Sequence, residues 1–329
     1  MNSKVEILTG VRPTAGLTVA NYLGAIKPII EFQEKGLRPF LFVADIHALT
    51  DTEPAKAKKY VFDLVADYIA LGIDPDKTVI YKQSDIAGQI SFLTAILARH
   101  ISVAELLRVP TLKDKLKSGA RPETANALLF LYPVMMAADI LIQQAKKVPV
   151  GEDQSAHLEA ARELARRFNK KYGNVFILPS ALEVKSLRIL SLRGKGKMSK
   201  TSPAGALFLT EDLKSASDKI KKSETAFEGK MTEKLKSHII LARGLAKNEK
   251  DKKEIDLIIE KHKKGEAVMG EFKKVFTRIV LEFLKDFQGK RKKIIENPEY
   301  ISLVLEKGKK IAEANANKTM ALVEKALFD

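Results

Sequence analysis

The chain has 329 residues, 45% of them hydrophobic, enough to bury a large core and to form two domains. It contains no cysteine, which excludes disulfides, thiolate zinc sites and cysteine nucleophiles; its formal net charge of +16 points either to a polyanionic partner such as nucleic acid or to a well-solvated lysine-rich surface. No apolar run approaches the length of a membrane span, and Met1 to Ile7 lack a basic region followed by an apolar stretch, so neither a membrane segment nor a secretory signal is expected.

In chain order, Val5-Glu6-Ile7-Leu8 predicts a short buried strand that ends at Gly10. A Gly/Pro loop follows, Gly10 to Gly16, and a helix begins near Thr18 and runs through Tyr22 and Ile26. Phe40-Leu41-Phe42-Val43-Ala44 and Thr78-Val79-Ile80-Tyr81 read as further buried strands, with a helical pattern from Ala55 to Leu71 between them. Val148-Pro149-Val150 is another strand, and a helix from about Gln154 to Tyr172 follows it. This rhythm predicts an α/β fold built on a doubly wound parallel sheet. After about Leu207 strand signals nearly vanish and lysine density rises. Val275, Phe276, Ile279, Val280, Phe283, Leu284 and Phe287 recur at helical spacing as a core stripe, and Asn297-Pro298 interrupts the pattern before the last helices. The expected division is a first domain over 1–207 and a basic C-terminal all-helical domain over 208–329, whose last helices can pack back on the first.

Three stretches carry candidate chemistry. The loop from Gly10 to Gly16 stands at the carboxyl end of a strand and before a helix, where an open parallel sheet binds ligands and a helix start favours anions. It lacks the Gly-Lys-Ser/Thr of a phosphate-binding P-loop and the third glycine of a dinucleotide fingerprint, so a plain strand-to-helix turn is an equal reading. Lys197-Met198-Ser199-Lys200-Thr201, preceded by Gly194 and Gly196, offers two lysines on a glycine-softened loop, either to close on a triphosphate or as a solvated basic turn. In Tyr132-Pro133-Val134-Met135-Met136-Ala137-Ala138-Asp139, a helix places Tyr132, Met136 and Asp139 on one face. Asp139 lies among apolar and small residues, where an unpaired carboxylate is costly, so it needs a donor, either from the protein or from a ligand.

Taken together, these stretches resemble the tryptophanyl-tRNA synthetases, a branch of the class I aminoacyl-tRNA synthetases. The resemblance runs from about Ile7 to Leu209. It includes Asn21-Tyr22-Leu23-Gly24-Ala25, Asp45-Ile46-His47-Ala48-Leu49-Thr50, Gly72-Ile73-Asp74-Pro75, Val148-Pro149-Val150-Gly151-Glu152-Asp153-Gln154, His157-Leu158-Glu159, Ala165-Arg166-Arg167-Phe168-Asn169 and the lysine signature. It implies a Rossmann-type catalytic domain that joins L-tryptophan to ATP, with Mg²⁺, and passes it to tRNA(Trp). By the same resemblance, Thr18-Val19-Ala20-Asn21 is the first class signature, and Arg12, Pro13 and Thr14 lie on the loop that touches the nucleotide. Gly151, Glu152 and Asp153 would meet adenosine and Ile189 would flank adenine. Lys197 and Lys200, aided by Lys115, would hold the phosphates, with Met198, Ser199 and Thr201 completing their loop. Asp139 would accept the indole N–H; Tyr132 and Gln154 would bind the amino acid's polar end; Met136, Val148 and Val150 would wall the ring, with His47 near the same pocket. A cytoplasmic homodimer without a membrane association is implied as well.

Three positions depart from the family pattern: Ala20 stands where the first signature has glycine, Arg12 where many relatives have glutamine, and Thr201 where the second signature ends in serine. Ala20 puts ATP affinity in question. The competing readings are a tyrosyl-type synthetase, a small nucleotidyltransferase of the same fold, and a non-catalytic RNA-binding paralogue. Lys230, Lys234, Lys236, Lys273 and Lys274 are candidate tRNA phosphate contacts, and the apolar stretch Ile90 to Val109 is either core or a self-complementary dimer surface.

Overall fold

The computed structural model describes residues 5–14, 16–50, 52–109, 112, 126–150, 155–183, 187, 189–200 and 202–329. Strands β1 (Leu8–Val11), β2 (Phe40–Val43) and β3 (Val79–Lys82) form one parallel sheet in that order, and β4 (Lys147–Val150) and β5 (Ser180–Glu183) form a second. The register pairs Leu8 with Phe40, Phe40 with Val79, and Lys147 with Ser180. A parallel bridge between Ile7 and Lys147 joins the two sheets, with Lys146 N–H donating to Val5 O at 2.9 Å and Lys147 N–H to Glu6 O at 3.0 Å. The spatial order is therefore β3-β2-β1-β4-β5, and the expected doubly wound α/β arrangement is present. Its winding reverses between β1 and β4, the point at whose carboxyl ends open parallel sheets bind ligands.

The first strand differs from the sequence expectation. The strand expected over Val5 to Leu8 lies later, at Leu8–Val11, after a bend at Glu6; Ile7 stands between the two sheets, its O accepting from Phe40 N at 2.8 Å while it bridges to Lys147. Every residue of β2 is buried, as a central parallel strand covered on both faces requires.

Helices cover the sheet. Thr18 caps α1 (Val19–Asn21), accepting from Asn21 N at 3.3 Å while its own N–H donates to Asn21 Oδ1 at 3.0 Å. A π turn over Tyr22–Ile26 leads into α2 (Lys27–Glu34). Then come α3 (Asp45–Ala48), α4 (Pro54–Leu71), α5 (Ala87–Ala98) and α6 (Val103–Leu106). Helix α7 (Ala127–Ile142) is capped by Asn126, which accepts from Leu129 N at 2.9 Å, and it contains Pro133. Helix α8 (Ser155–Tyr172) follows β4.

Beyond the lysine segment the described chain is helical: α9 (Leu213–Lys221), α10 (Glu233–Leu245), α11 (Glu249–Lys263), α12 (Met269–Ile295) and α13 (Pro298–Phe328). The stripe read from the sequence is core: Val275, Phe276, Ile279, Val280, Leu284 and Phe287 are buried and Phe283 is half-buried. The same apolar cluster contains Ile7, Leu41 and Met198, so α10 to α12 and the sheet share one core. Asn297 ends the long run by capping α13, its side chain accepting from Tyr300 N.

Helix α13 lies against β3. Gly308 allows this approach, because a Cβ there would stand 1.7 Å from Ile80 O and 2.5 Å from Ile80 C. Asn315 Nδ2 donates to Gln143 O and Oε1 at 3.0 and 2.9 Å, and Gln143 Nε2 returns a bond to Ala312 O at 3.2 Å. Backbone cannot yield as a side chain can. Gly308→Val is therefore expected to cost about 3 kcal/mol or more in denaturant unfolding, against the helix-propensity gain of replacing a glycine. An unchanged midpoint would contradict this packing.

Candidate active site

The carboxyl ends of β2 and β3 are tied together by Asp45. Its Oδ1 accepts from Ile46 N at 3.1 Å and from Ser84 N at 2.9 Å, and its Oδ2 accepts from the Ser84 hydroxyl at 2.5 Å. This brings His47, on α3, beside Gln83, which directly follows β3; His47 N–H donates to Gln83 Oε1 at 3.1 Å. Both side chains converge on Asp139 of α7. His47 Nε2 stands 2.9 Å from Asp139 Oδ2, and Gln83 Nε2 lies 3.0 Å from each Asp139 oxygen. Asp139 is 2% exposed, and its partners His47 and Gln83 are also buried. Burial raises the Asp139 carboxyl above the usual carboxylate range, with His47 and Gln83 opposing the rise. The need for a donor read from the sequence is met here by protein donors. An ionised carboxylate offers about four lone-pair sites, so these bonds do not exhaust it.

Tyr132 and Met136 are half-buried on the same helix as Asp139. The Tyr132 ring meets His47 edge-on at 5.3 Å between centroids and His157 at 5.2 Å, and its hydroxyl lies 3.0 Å from His157 Nε2. Val148 is buried in β4, and Val150 ends that strand.

A second group gathers at the carboxyl end of β1. The loop carries half-buried Arg12, buried Pro13 and half-buried Thr14. Lys200 Nζ donates to Thr14 Oγ1 at 2.6 Å, so the lysine segment is docked on this loop. Burial lowers the Lys200 ammonium, and the Asp67 carboxylate pulls the other way. Asp67 on α4 is itself buried and bonded to Arg291 of α12, which also reaches Asp63 at 2.7 Å. Burial pushes the Asp67 carboxyl up to about 6, against the pull of Arg291. Lys197 is exposed and pairs with Leu190 in an antiparallel bridge. Met198 is buried, and its N–H donates to Ile189 O at 2.9 Å; half-buried Ser199 accepts at its carbonyl from Ser202 N.

Thr18 Oγ1 and Asn21 Oδ1 are engaged in the helix cap, and Ala20 is half-buried against the core. Lys115, Gly151, Glu152, Asp153, Gln154 and Thr201 lie outside the described residues. Gln83 escaped the sequence reading, although its place directly after a strand was a signal; His157 entered only through the resemblance, and Arg291 lies far from every motif.

A family model described as tRNA synthetases class I (W and Y) matches residues 1–285. The tryptophan–tRNA ligase of Treponema pallidum is 33% identical to this chain over 330 residues, covering 98% of this chain and 96% of that protein. The chain belongs to the tryptophanyl-tRNA synthetase family. Solved members of the family have the same fold. The tryptophanyl-tRNA synthetase of Campylobacter jejuni, complexed with ADP and tryptophan, is 31% identical with a TM-score of 0.82, covering 97% of this chain and 98% of that one. The Mycoplasma pneumoniae enzyme is 30% identical with a TM-score of 0.86, covering 98% and 97%.

In this synthetase-family chain the basic surface is less uniform than its lysine content suggests. Lys234 is paired with Glu224 at 2.8 Å with its side chain 15% exposed, and Lys273 Nζ donates to Lys221 O and Ser223 O at 2.7 and 2.8 Å. These two, expected as phosphate contacts, already have partners within the chain. Lys236 is exposed and pairs with Glu233, while Lys230 and Lys274 are exposed.

Proposed function

We propose that the chain activates L-tryptophan with ATP and then charges tRNA(Trp). The carrying observation is the buried Asp139 carboxylate, held by His47 and Gln83 on the helix face that also presents Tyr132 and Met136. The tryptophan carboxylate attacks the α-phosphorus of ATP; the new bond is carboxylate oxygen to phosphorus, and the bond to pyrophosphate breaks. No protein nucleophile is required, so the chain's work is positioning and charge stabilisation. ATP enters as its Mg²⁺ complex. Lys200 and Lys197, with Lys115, hold the phosphates as charge moves toward pyrophosphate. Arg12, Pro13, Thr14, Thr18, Ala20, Asn21, Ile189 and the segment Gly151 to Asp153 surround the nucleotide. Asp139 takes the indole N–H, Met136, Val148 and Val150 wall the ring, and Tyr132 and Gln154 meet the amino acid's polar end. A hydroxyl of the terminal tRNA ribose then displaces AMP. ATP–pyrophosphate exchange with each of the twenty amino acids tests this: exchange with tyrosine, or with none, would overturn it.

In this reading, residues 1–207 are the catalytic domain and 208–329 the tRNA-binding helical domain, working as a cytoplasmic homodimer. Among the described residues no helix is long and apolar enough to cross a membrane. Within the stretch Ile90 to Val109, Leu93, Leu97 and Leu106 are buried and Ile96, Ile101 and Leu107 half-buried, while Phe92 and Val103, 39% and 64% exposed, are the side chains most open to a dimer surface. A monomeric mass by light scattering at micromolar concentration would remove the dimer. For tRNA, Lys230→Glu with Lys274→Glu is expected to weaken aminoacylation and flatten its salt dependence while sparing ATP–pyrophosphate exchange. Equal losses in both assays would indicate a damaged fold instead.

A further inference from the structure

Lys197 leaves a hairpin whose limbs meet at the Leu190–Lys197 bridge, with Ser191 N–H donating to Gly196 O at 3.1 Å. Its tip is Arg193-Gly194-Lys195-Gly196, all exposed, with Gly194 at φ +74° and Gly196 at φ +94°. Such a tip has the backbone freedom to wander. It is nevertheless tethered, at one residue and on both sides. Gly194 N–H donates to Glu224 Oε1 at 2.6 Å, and Gly194 O accepts from Lys234 Nζ. Glu224 and Lys234 pair with each other at 2.8 Å, so one ion pair takes both polar groups of a single peptide residue. The backbone continues the hold: Glu224 N–H donates to Leu192 O at 3.0 Å, and Leu190 N–H donates to Ser237 Oγ at 2.7 Å.

Lys234 and Ser237 both belong to α10, and a cleft of about 860 Å³ lies between that helix and the hairpin, lined by Leu187, Leu190, Lys195, Lys236 and Ile240 among others. The limbs of the hairpin stay anchored at Leu190 and Leu192, so only its exposed tip, Arg193 to Gly196, borders this cleft and can shift once Gly194 is released. At its far end, Lys200 is fixed to Thr14. Lys197, exposed between the clamped tip and buried Met198, whose N–H donates to Ile189 O at 2.9 Å, takes its position from the clamp on one side and from that anchor on the other. A half-exposed ion pair contributes little stability of its own. Its consequence here is geometric.

We propose that Glu224 and Lys234 are positioning residues for Lys197: their clamp on Gly194 sets where the Lys197 ammonium stands when the triphosphate arrives, and it ties that position to helix α10. This rests on the reading of Lys197 as a phosphate-holding residue. The clamp acts on the reaction only through the loop, so its loss lowers turnover and leaves the tryptophan pocket alone.

Steady-state ATP–pyrophosphate exchange tests the clamp, with thermal midpoints measured alongside. Glu224→Ala and Lys234→Met are each expected to lower kcat about tenfold, with the tryptophan KM within about twofold, because a small misplacement of a charge-stabilising group has effects of that order. Amide hydrogen exchange over residues 190–200 should quicken in both. In a Lys197→Ala background the same substitutions should change kcat less than about twofold, since the group they position is gone. Glu224→Gln keeps an acceptor for Gly194 N–H and should recover part of the loss. The charge-reversed pair Glu224→Lys with Lys234→Glu restores an ion pair but neither bond to Gly194, and should stay slow. Full recovery in that reversed pair, an unchanged kcat in the single variants, or losses as large in the Lys197→Ala background would each overturn the clamp while leaving the active-site reading standing. If Lys197→Ala itself leaves kcat intact, the phosphate reading of Lys197 falls, and the clamp with it.

Discussion

Lys200→Ala is expected to lower kcat for tryptophan-dependent ATP–pyrophosphate exchange by about 100-fold or more, with the tryptophan KM nearly unchanged. The magnitude follows from where the ammonium sits. Lys200 is half-buried and docked on Thr14, and burial already lowers its ammonium below the ordinary lysine range. A charge removed from water in advance acts more strongly on phosphate charge and needs no reorganisation when that charge moves. In the proposed site tryptophan binds on the other group of side chains, around Asp139, and its KM then has no direct reason to change. Thr14→Val removes the hydroxyl that holds Lys200 and should reproduce a fraction of the loss. Lys197 is exposed, so its own alanine variant is expected to lose less than that of Lys200. A Lys200→Ala enzyme that shows only a weaker tryptophan KM would end the phosphate assignment of this lysine.

Much of the sheet was legible because parallel strands buried on both faces are written as plain apolar runs. Phe40 to Ala44 and Thr78 to Tyr81 match β2 and β3 within a residue or so. Strand β5, Ser180–Glu183, was not legible: its four residues, Ser-Ala-Leu-Glu, carry no β-branched side chain, and parallel pairing with β4 creates the strand. The later start of β1, at Leu8 rather than Val5, is likewise set by its register against β2, which no local pattern encodes. In the site, the face of Tyr132, Met136 and Asp139 followed from helical periodicity, and the demand for a donor at Asp139 from its apolar and small neighbours. Which donors answer it depends on two turns, after β2 and after β3, that Asp45 fastens together across more than thirty residues of chain. The approach of α13 to Ile80 and the bond from Arg291 to Asp67 are longer-range still. A glycine inside a helix and an arginine in a basic helix look unremarkable until the tertiary partner is placed.

Asp139→Ala is expected to lower kcat/KM for tryptophan by about 2–4 kcal/mol, roughly thirtyfold to a thousandfold, and to narrow the discrimination against phenylalanine. The second effect separates recognition from damage. Truncation also leaves His47 and Gln83 without their buried acceptor, a stability cost of about 1–3 kcal/mol that harms every substrate alike. Only loss of an acceptor for the indole N–H harms tryptophan and spares phenylalanine. pH gives an independent test. Burial raises the Asp139 carboxyl in the folded protein, with His47 and Gln83 opposing. A raised carboxyl binds its proton more tightly folded than unfolded. Its contribution to stability is therefore fully present below the unfolded value and is lost as pH rises through the folded value. Recognition moves the opposite way, because protonation removes acceptor capacity: as pH falls through the raised value, kcat/KM for tryptophan should fall while this group's contribution to stability grows. Asp139→Asn has no proton to gain. It should retain part of the activity, lose this acid limb, and become more stable relative to the parent as pH rises. The same acid limb persisting in Asp139→Asn would assign it to another group and return Asp139 to a purely structural role.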